Sequence, residues 1–175
     1  MRYTLSFGLV LISLLALAFQ APGAEPAPTF QVGEFTFTRP ASWEWIPVTS
    51  AMRKAQLKVT DKKGSAEVVF FHFGESNGGG TKANVDRWLG QFQESSNPKV
   101  EEKTVAAKKV TYVQVEGTYL SGMPGGAKTP QANSMLQGAI IESKQGNVFI
   151  KMTGPAATVR DAKDAFRKLV ENALP

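Results

Sequence analysis

Cysteine is absent from the 175 residues and histidine occurs once. Without thiols there is neither a disulfide framework nor a thiolate metal site, so zinc-ribbon, thiol-redox and cysteine-nucleophile chemistries are excluded together. The single imidazole, His72, cannot assemble a histidine metal cluster, and it leaves a Ser-His-acid triad with one candidate base inside an apolar strand. No Gly-x-Ser-x-Gly elbow is present to carry a nucleophile. Concentrated charge is missing too. The formal net charge is +5, but the basic residues come as dispersed pairs, Lys62/Lys63, Lys108/Lys109 and Arg167/Lys168. That pattern argues against nucleic acid and leaves open a modest attraction to acidic envelope polymers or anionic headgroups. No apolar run reaches the ~20 residues of a membrane-spanning helix.

The longest apolar run, Leu5 through Ala18, follows Arg2 and is interrupted by Ser6, Gly8 and Ser13. A short positive region, an apolar core and small residues before Pro22 and Gly23 are the layout of a signal peptide. Residues 1–24 are therefore expected to direct export, with cleavage after Ala18 or Ala24, and the protein is expected in the periplasm or outside the cell. No stable transmembrane segment is expected after its removal, and no cysteine follows that could carry a lipid anchor. Residues 25–29 read as a Pro/Ala linker, and residues 30–175 are long enough for one core and too short for two.

Within that domain, Glu34 to Thr38 alternates with period two before Pro40. Gln56–Thr60 and Ala66–Phe73 form an expected hairpin around a polar Asp61–Gly64 connection. The second of these is apolar on both faces, which implies cover on each side. Trp43 and Trp45 share a side if extended and, with Trp88, are expected to complete a core. Residues 81–93 place Val85, Trp88, Leu89 and Phe92 at helical spacing, so a helix is predicted there. Val100–Thr104 and Val110–Leu120 read as strands, residues 121–134 as a Gly/Pro-rich connection, and 135–142 with 147–153 as a further hairpin. The chain closes with a helix predicted over residues 158–174, opened by a capping box of Thr158 and Asp161.

An early strand leading to Pro40 and Trp43, a helix after the third strand, a long meander and a terminal amphipathic helix together resemble the PsbP/Mog1-like domains. The resemblance extends over residues 30–174 and lies in element order. It implies an α+β fold, an antiparallel sheet with an internal and a C-terminal helix packed on it, and a non-enzymatic scaffold that binds partners. It carries over no site residues. The sequence is also similar to exported bacterial proteins of no assigned role.

Two Gly-rich segments are the candidate binding loops. Gly78, Gly79, Gly80, Thr81 and Lys82 precede a helix, where free N–H groups, the positive helix end and a lysine suit a carboxylate or sulfate. Gly125, Gly126 and Lys128 lie in a stretch that imitates a phosphate loop, but Ala127 stands where the second glycine belongs and Pro130 stops any helix that would hold phosphate. Glu101 and Glu102 point to opposite faces of a strand, and Asp161 with Asp164 suits a helix N-terminus, so neither pair suggests acid/base work. Neither a cofactor nor a bound metal is expected. The sequence thus points to a binding or accessory module for a protein or cell-envelope partner, with a hydrolase built on His72 and nearby Glu75 as the alternative.

Overall fold

In the computed structural model, residues 28–122 and 126–175 are described. Two strands, β1 (Thr29–Val32) and β2 (Phe35–Thr38), make a hairpin in which Val32 faces Phe35. Gly33 holds its turn at φ +60°, a left-handed conformation that glycine enters without a Cβ clash. The strands β3 (Glu44–Trp45), β4 (Arg53–Asp61), β5 (Gly64–His72), β6 (Phe92–Val105), β7 (Lys108–Ser121), β8 (Thr129–Ile141) and β9 (Val148–Pro155) form one antiparallel sheet. Their order is β3-β4-β5-β9-β8-β7-β6. Helix α1 (Thr81–Leu89) joins β5 to β6, and α2 (Ala156–Glu171) follows β9 without a loop. The fold is α+β, with one internal and one C-terminal helix on the sheet.

The two sheet faces are covered unequally. Helix α2 and the β1–β2 hairpin share one face, where Phe37, Leu57, Phe70, Ile150, Met152 and Phe166 are buried in a single cluster. Each such side chain contributes about 1.5–3 kcal/mol by leaving water. On the other face, Val85 and Trp88 of α1 pack over Val113, Val115, Leu136, Ile140 and Phe149. Trp88 approaches the sheet because residue 138 is glycine: a Cβ there would stand 2.4 Å from the indole ring.

Helix α1 is short, about 13 Å at 1.5 Å per residue, so it covers only part of its face. The strand sequences record where that cover stops. On this face β5 runs from Phe71 and Val69 to Glu67 and Ser65, β9 from Phe149 to Lys151 and Thr153, and β4 presents Gln56, Lys58 and Thr60. Beyond the helix the sheet floor becomes polar.

Several boundaries differ from the sequence reading. The expected signal segment and residues 25–27 lie outside the described residues, and β1 already begins at Thr29 in place of linker. Helix α1 stops at Leu89, since Gly90 caps it and Phe92 instead joins β6 opposite Tyr119, ring centres 5.2 Å apart. Strand β6 starts at Phe92 and passes Pro98 through two register shifts. As the outer strand it tolerates a residue with no N–H. Strand β8 begins at Thr129, within the expected connection, because β7 and β8 pair on as an arm beyond the end of β9, with Ser121 opposite Thr129. The capping box does not form: the Thr158 hydroxyl donates to Asp61 at 2.9 Å, while Asp161 pairs with Lys63 at 2.6 Å. Trp43 and Trp88 are core residues, but Trp45 is 42% exposed and meets Phe30 edge-on.

Candidate functional site

The uncovered part of the sheet is a cleft with Lys151 on its floor. Lys151 sits in β9 between Val69 of β5 and Gly138 of β8, neither of which offers it a polar partner. Its ammonium donates to Gln91 Oε1 at 2.5 Å and to the Tyr119 hydroxyl at 3.1 Å, and lies 4.9 Å from the Tyr119 ring centre. No carboxylate forms an ion pair with it among the described residues. Burial lowers its pKa to about 8; Glu67 opposes that shift, and Arg87 and Arg53 add to it. The Tyr119 phenol is pushed up, first by burial and then by Glu67.

Three elements bring these groups together. The α1–β6 turn delivers Gln91, whose backbone carbonyl accepts from Leu120 N–H at 2.8 Å and so ties the β7–β8 arm to the cleft. Gly117, at φ +152°, is where that arm departs from the sheet's register: a Cβ there would meet the Gln93 carbonyl oxygen at 2.7 Å. Opposite, Arg53 of β4 donates to Glu67 at 2.8 Å and to Gln56 at 2.7 Å, and Gln56 also donates to Glu67 at 2.6 Å. Glu67 is thereby engaged by its own strand pair.

The cleft against α1 encloses about 520 Å³, bounded by Met52, Phe73, Arg87, Trp88, Phe149 and Lys151. An adjoining hollow of about 530 Å³ shares Arg53 and Gly122 with it and runs along Glu67, Tyr119, Gln131 and Thr153. Arg87, on the helix wall, donates to Asn84 Oδ1. Among the described residues no cluster of acidic or histidine side chains is arranged to hold a metal, and no helix is long and apolar enough to cross a membrane.

The sequence-derived candidates lie on the rim. Gly78, Gly79 and Gly80 form the turn before α1, anchored by Asn84, whose amide donates to the carbonyls of Gly78 at 2.9 Å and Gly80 at 3.0 Å. The Thr81 hydroxyl donates to Glu142 at 2.8 Å, so a carboxylate of the chain already stands at this helix end. Lys82 reaches Asp86 at 2.6 Å, one turn along the helix. Gly125 lies outside the described residues. Gly126 is exposed on the β7–β8 arm, and Lys128 points back to the Gly122 carbonyl at 3.5 Å. The glycine turn follows the His72 end of β5 and the arm extends from the other end of the sheet, yet α1 and Gly122 border the same cleft. His72 packs beside Gly33, with the Asn147 carbonyl at 3.4 Å from Nδ1 as its hydrogen-bond partner, and no bond joins it to Glu75.

Lys151, Tyr119, Arg53 and Glu67 were not singled out from the sequence. The readable signal was Val148-Phe149-Ile150-Lys151-Met152, a lysine inside a strand otherwise apolar on both faces.

No family model matches the sequence, and no curated protein does. Solved structures do match across nearly whole chains. The solution structure of cyanobacterial PsbP (CyanoP) from Synechocystis sp. PCC 6803 superposes with a TM-score of 0.57 at 6% identity, covering 89% of this chain and 95% of the other. The fold is PsbP-like. A Pseudomonas aeruginosa protein of unknown function, PA94, described as a putative regulator, gives a TM-score of 0.51 at 13% identity over 85% of this chain and 96% of its own. Identities this low describe the shared PsbP-like architecture alone, so the Lys151 cleft rests on this chain's own residues.

Proposed function

We propose that this chain is an exported, non-enzymatic binding module of the cell envelope, and that its partner is held in the Lys151 cleft. One observation carries the reading: a largely buried ammonium with no carboxylate partner among the described residues, at the bottom of an open cleft. Such a group is expensive to keep inside a protein, and a structural lysine would be paired or surface-directed. The residues around it suit holding better than turnover, because Glu67 is occupied by Arg53 and Gln56, and His72 lies on the opposite face of the sheet, bonded to a backbone carbonyl. Export is supported by Arg2 and the Leu5–Ala18 run.

The test is in-cell crosslinking of the tagged protein in its native envelope, comparing wild type with Lys151→Met. A partner retained at near-stoichiometric yield by the wild type and lost by the variant supports the reading. Equal recovery of the same partner by both proteins rejects the cleft as its site.

A further inference from the structure

The ligand chemistry can be taken further, on the basis of that binding role. We infer that the cleft accepts an amphiphilic monoanion, with its carboxylate on Lys151 and its apolar body along Met52, Phe71, Phe73 and Phe149. Phe71, Phe73 and Phe149 form a continuous aromatic wall, with ring centres 6.3 Å and 6.2 Å apart along the series. Met52 and Phe73, at 56% and 38% exposure, are among the few large apolar side chains left open to water, and both border this cleft. An apolar body laid over them removes that surface from solvent.

The charge along the cleft is unbalanced. Arg53, Arg87 and Lys151 border the cleft against α1, and among the described residues no acidic side chain borders it. Glu67, in the adjoining hollow, is matched by Arg53. The ammonium uses two of its three protons, on Gln91 and Tyr119, and the third has no acceptor among the described residues. A carboxylate supplies both the missing acceptor and the missing charge through a charge-assisted hydrogen bond. A neutral alcohol supplies only an acceptor, and a cation is repelled. The volume of about 520 Å³ lies within the roughly 300–1,000 Å³ usual for small-ligand sites.

The test is calorimetric titration of the folded protein with decanoate below its micelle concentration, set beside decanol, acetate and decylamine. Decanoate is expected to bind, with each of the other three weaker by roughly ten-fold or more. Lys151→Met should lose a similar factor. Gln91→Glu, which sets a carboxylate of the chain beside the ammonium and keeps the lysine, should also weaken decanoate. Raising the pH from about 7 to about 10 should weaken it as Lys151 loses its proton; the charged and titratable groups facing Lys151 are Arg53, Arg87, Glu67 and Tyr119, and burial pushes the Tyr119 phenol up. Failure of decanoate to bind, equal binding of decanol, or unchanged affinity in both variants overturns the inference, as does association with phosphatidylglycerol vesicles in the absence of decanoate binding. If decanoate fails while Lys151→Met still loses the crosslinked partner, the ligand class is wrong and the binding role stands. If the variant also keeps that partner, both fall.

Discussion

The Lys151 ammonium and the Tyr119 hydroxyl stand 3.1 Å apart in a cleft where, among the described residues, neither has a carboxylate within ion-pair or hydrogen-bond reach. The tyrosine oxygen accepts from the lysine and thereby favours its charged form, against the burial that disfavours it. Tyr119→Phe keeps the ring beneath the cation and removes the acceptor. The Lys151 pKa should therefore drop below its value of about 8, which pH-dependent carbon and nitrogen NMR of the lysine side chain would read. A rise would mean that the hydroxyl is not a hydrogen-bond acceptor for this lysine.

The Trp88–Gly138 contact sets the helix wall of the cleft. An added Cβ at residue 138 would lie 2.4 Å from one ring atom of Trp88 and 2.8 Å from the next, so the indole or the whole of α1 must shift. Gly138→Ala is expected to destabilise by about 1–3 kcal/mol through overpacking. It should also alter the tryptophan emission, because Trp88 is buried. Denaturant unfolding followed by fluorescence measures both, and an unchanged midpoint would show that α1 relaxes freely over the sheet.

Gln137 is a buried residue of β8 on the α2 side, and its Oε1 has no hydrogen-bond partner. It borders a hollow of about 40 Å³ together with Tyr112, Gln114, Lys163 and Arg167. An unmatched buried acceptor carries a desolvation penalty that an apolar side chain of similar length avoids. Gln137→Met is expected to leave stability within about 1 kcal/mol of wild type or to raise it. A clear loss in thermal unfolding would place an ordered water in the hollow, bonded to the amide oxygen.

The fold was more legible than the site, for a physical reason. Element type follows from short-range periodicity, and the alternation of Ala55, Leu57 and Val59 or the helical spacing of Val85 and Trp88 is visible along the chain. Boundaries failed where tertiary pairing overrode local signals. Phe92 fits the helix stripe but is drawn into β6 by Tyr119, and Pro98 reads as a break yet sits on an outer strand. The candidate site depended on distant pairings: Gln91 follows a helix, Tyr119 lies on an arm, and Lys151 belongs to a strand that joins the sheet centre. The glycine loops were conspicuous because glycine is a strong local signal, and they mark the rim. The cleft floor is marked only by where polar residues replace apolar ones on the α1 face, and that requires knowing where α1 ends.

Lys151 also links the proposed role to stability, with a sign that can be checked. Its folded pKa of about 8 lies below the ordinary 10.5. Between those values the unfolded chain binds more protons than the folded one, so this group makes stability rise with pH across that window. Below about pH 8 the destabilisation is fully expressed, on the order of 3 kcal/mol at about 1.4 kcal/mol per unit. Lys151→Met removes it while filling similar space. The variant is therefore expected to be more stable than wild type near neutral pH, and its advantage should shrink as the pH rises from about 8 toward about 10.5. Urea unfolding of both proteins across that range isolates the effect, since the other lysines are common to both. Should the variant prove less stable at neutral pH, the bonds to Gln91 and Tyr119 outweigh desolvation and Lys151 is a structural residue. The opposite result makes it a residue whose presence lowers stability, as expected when a side chain serves binding in place of folding.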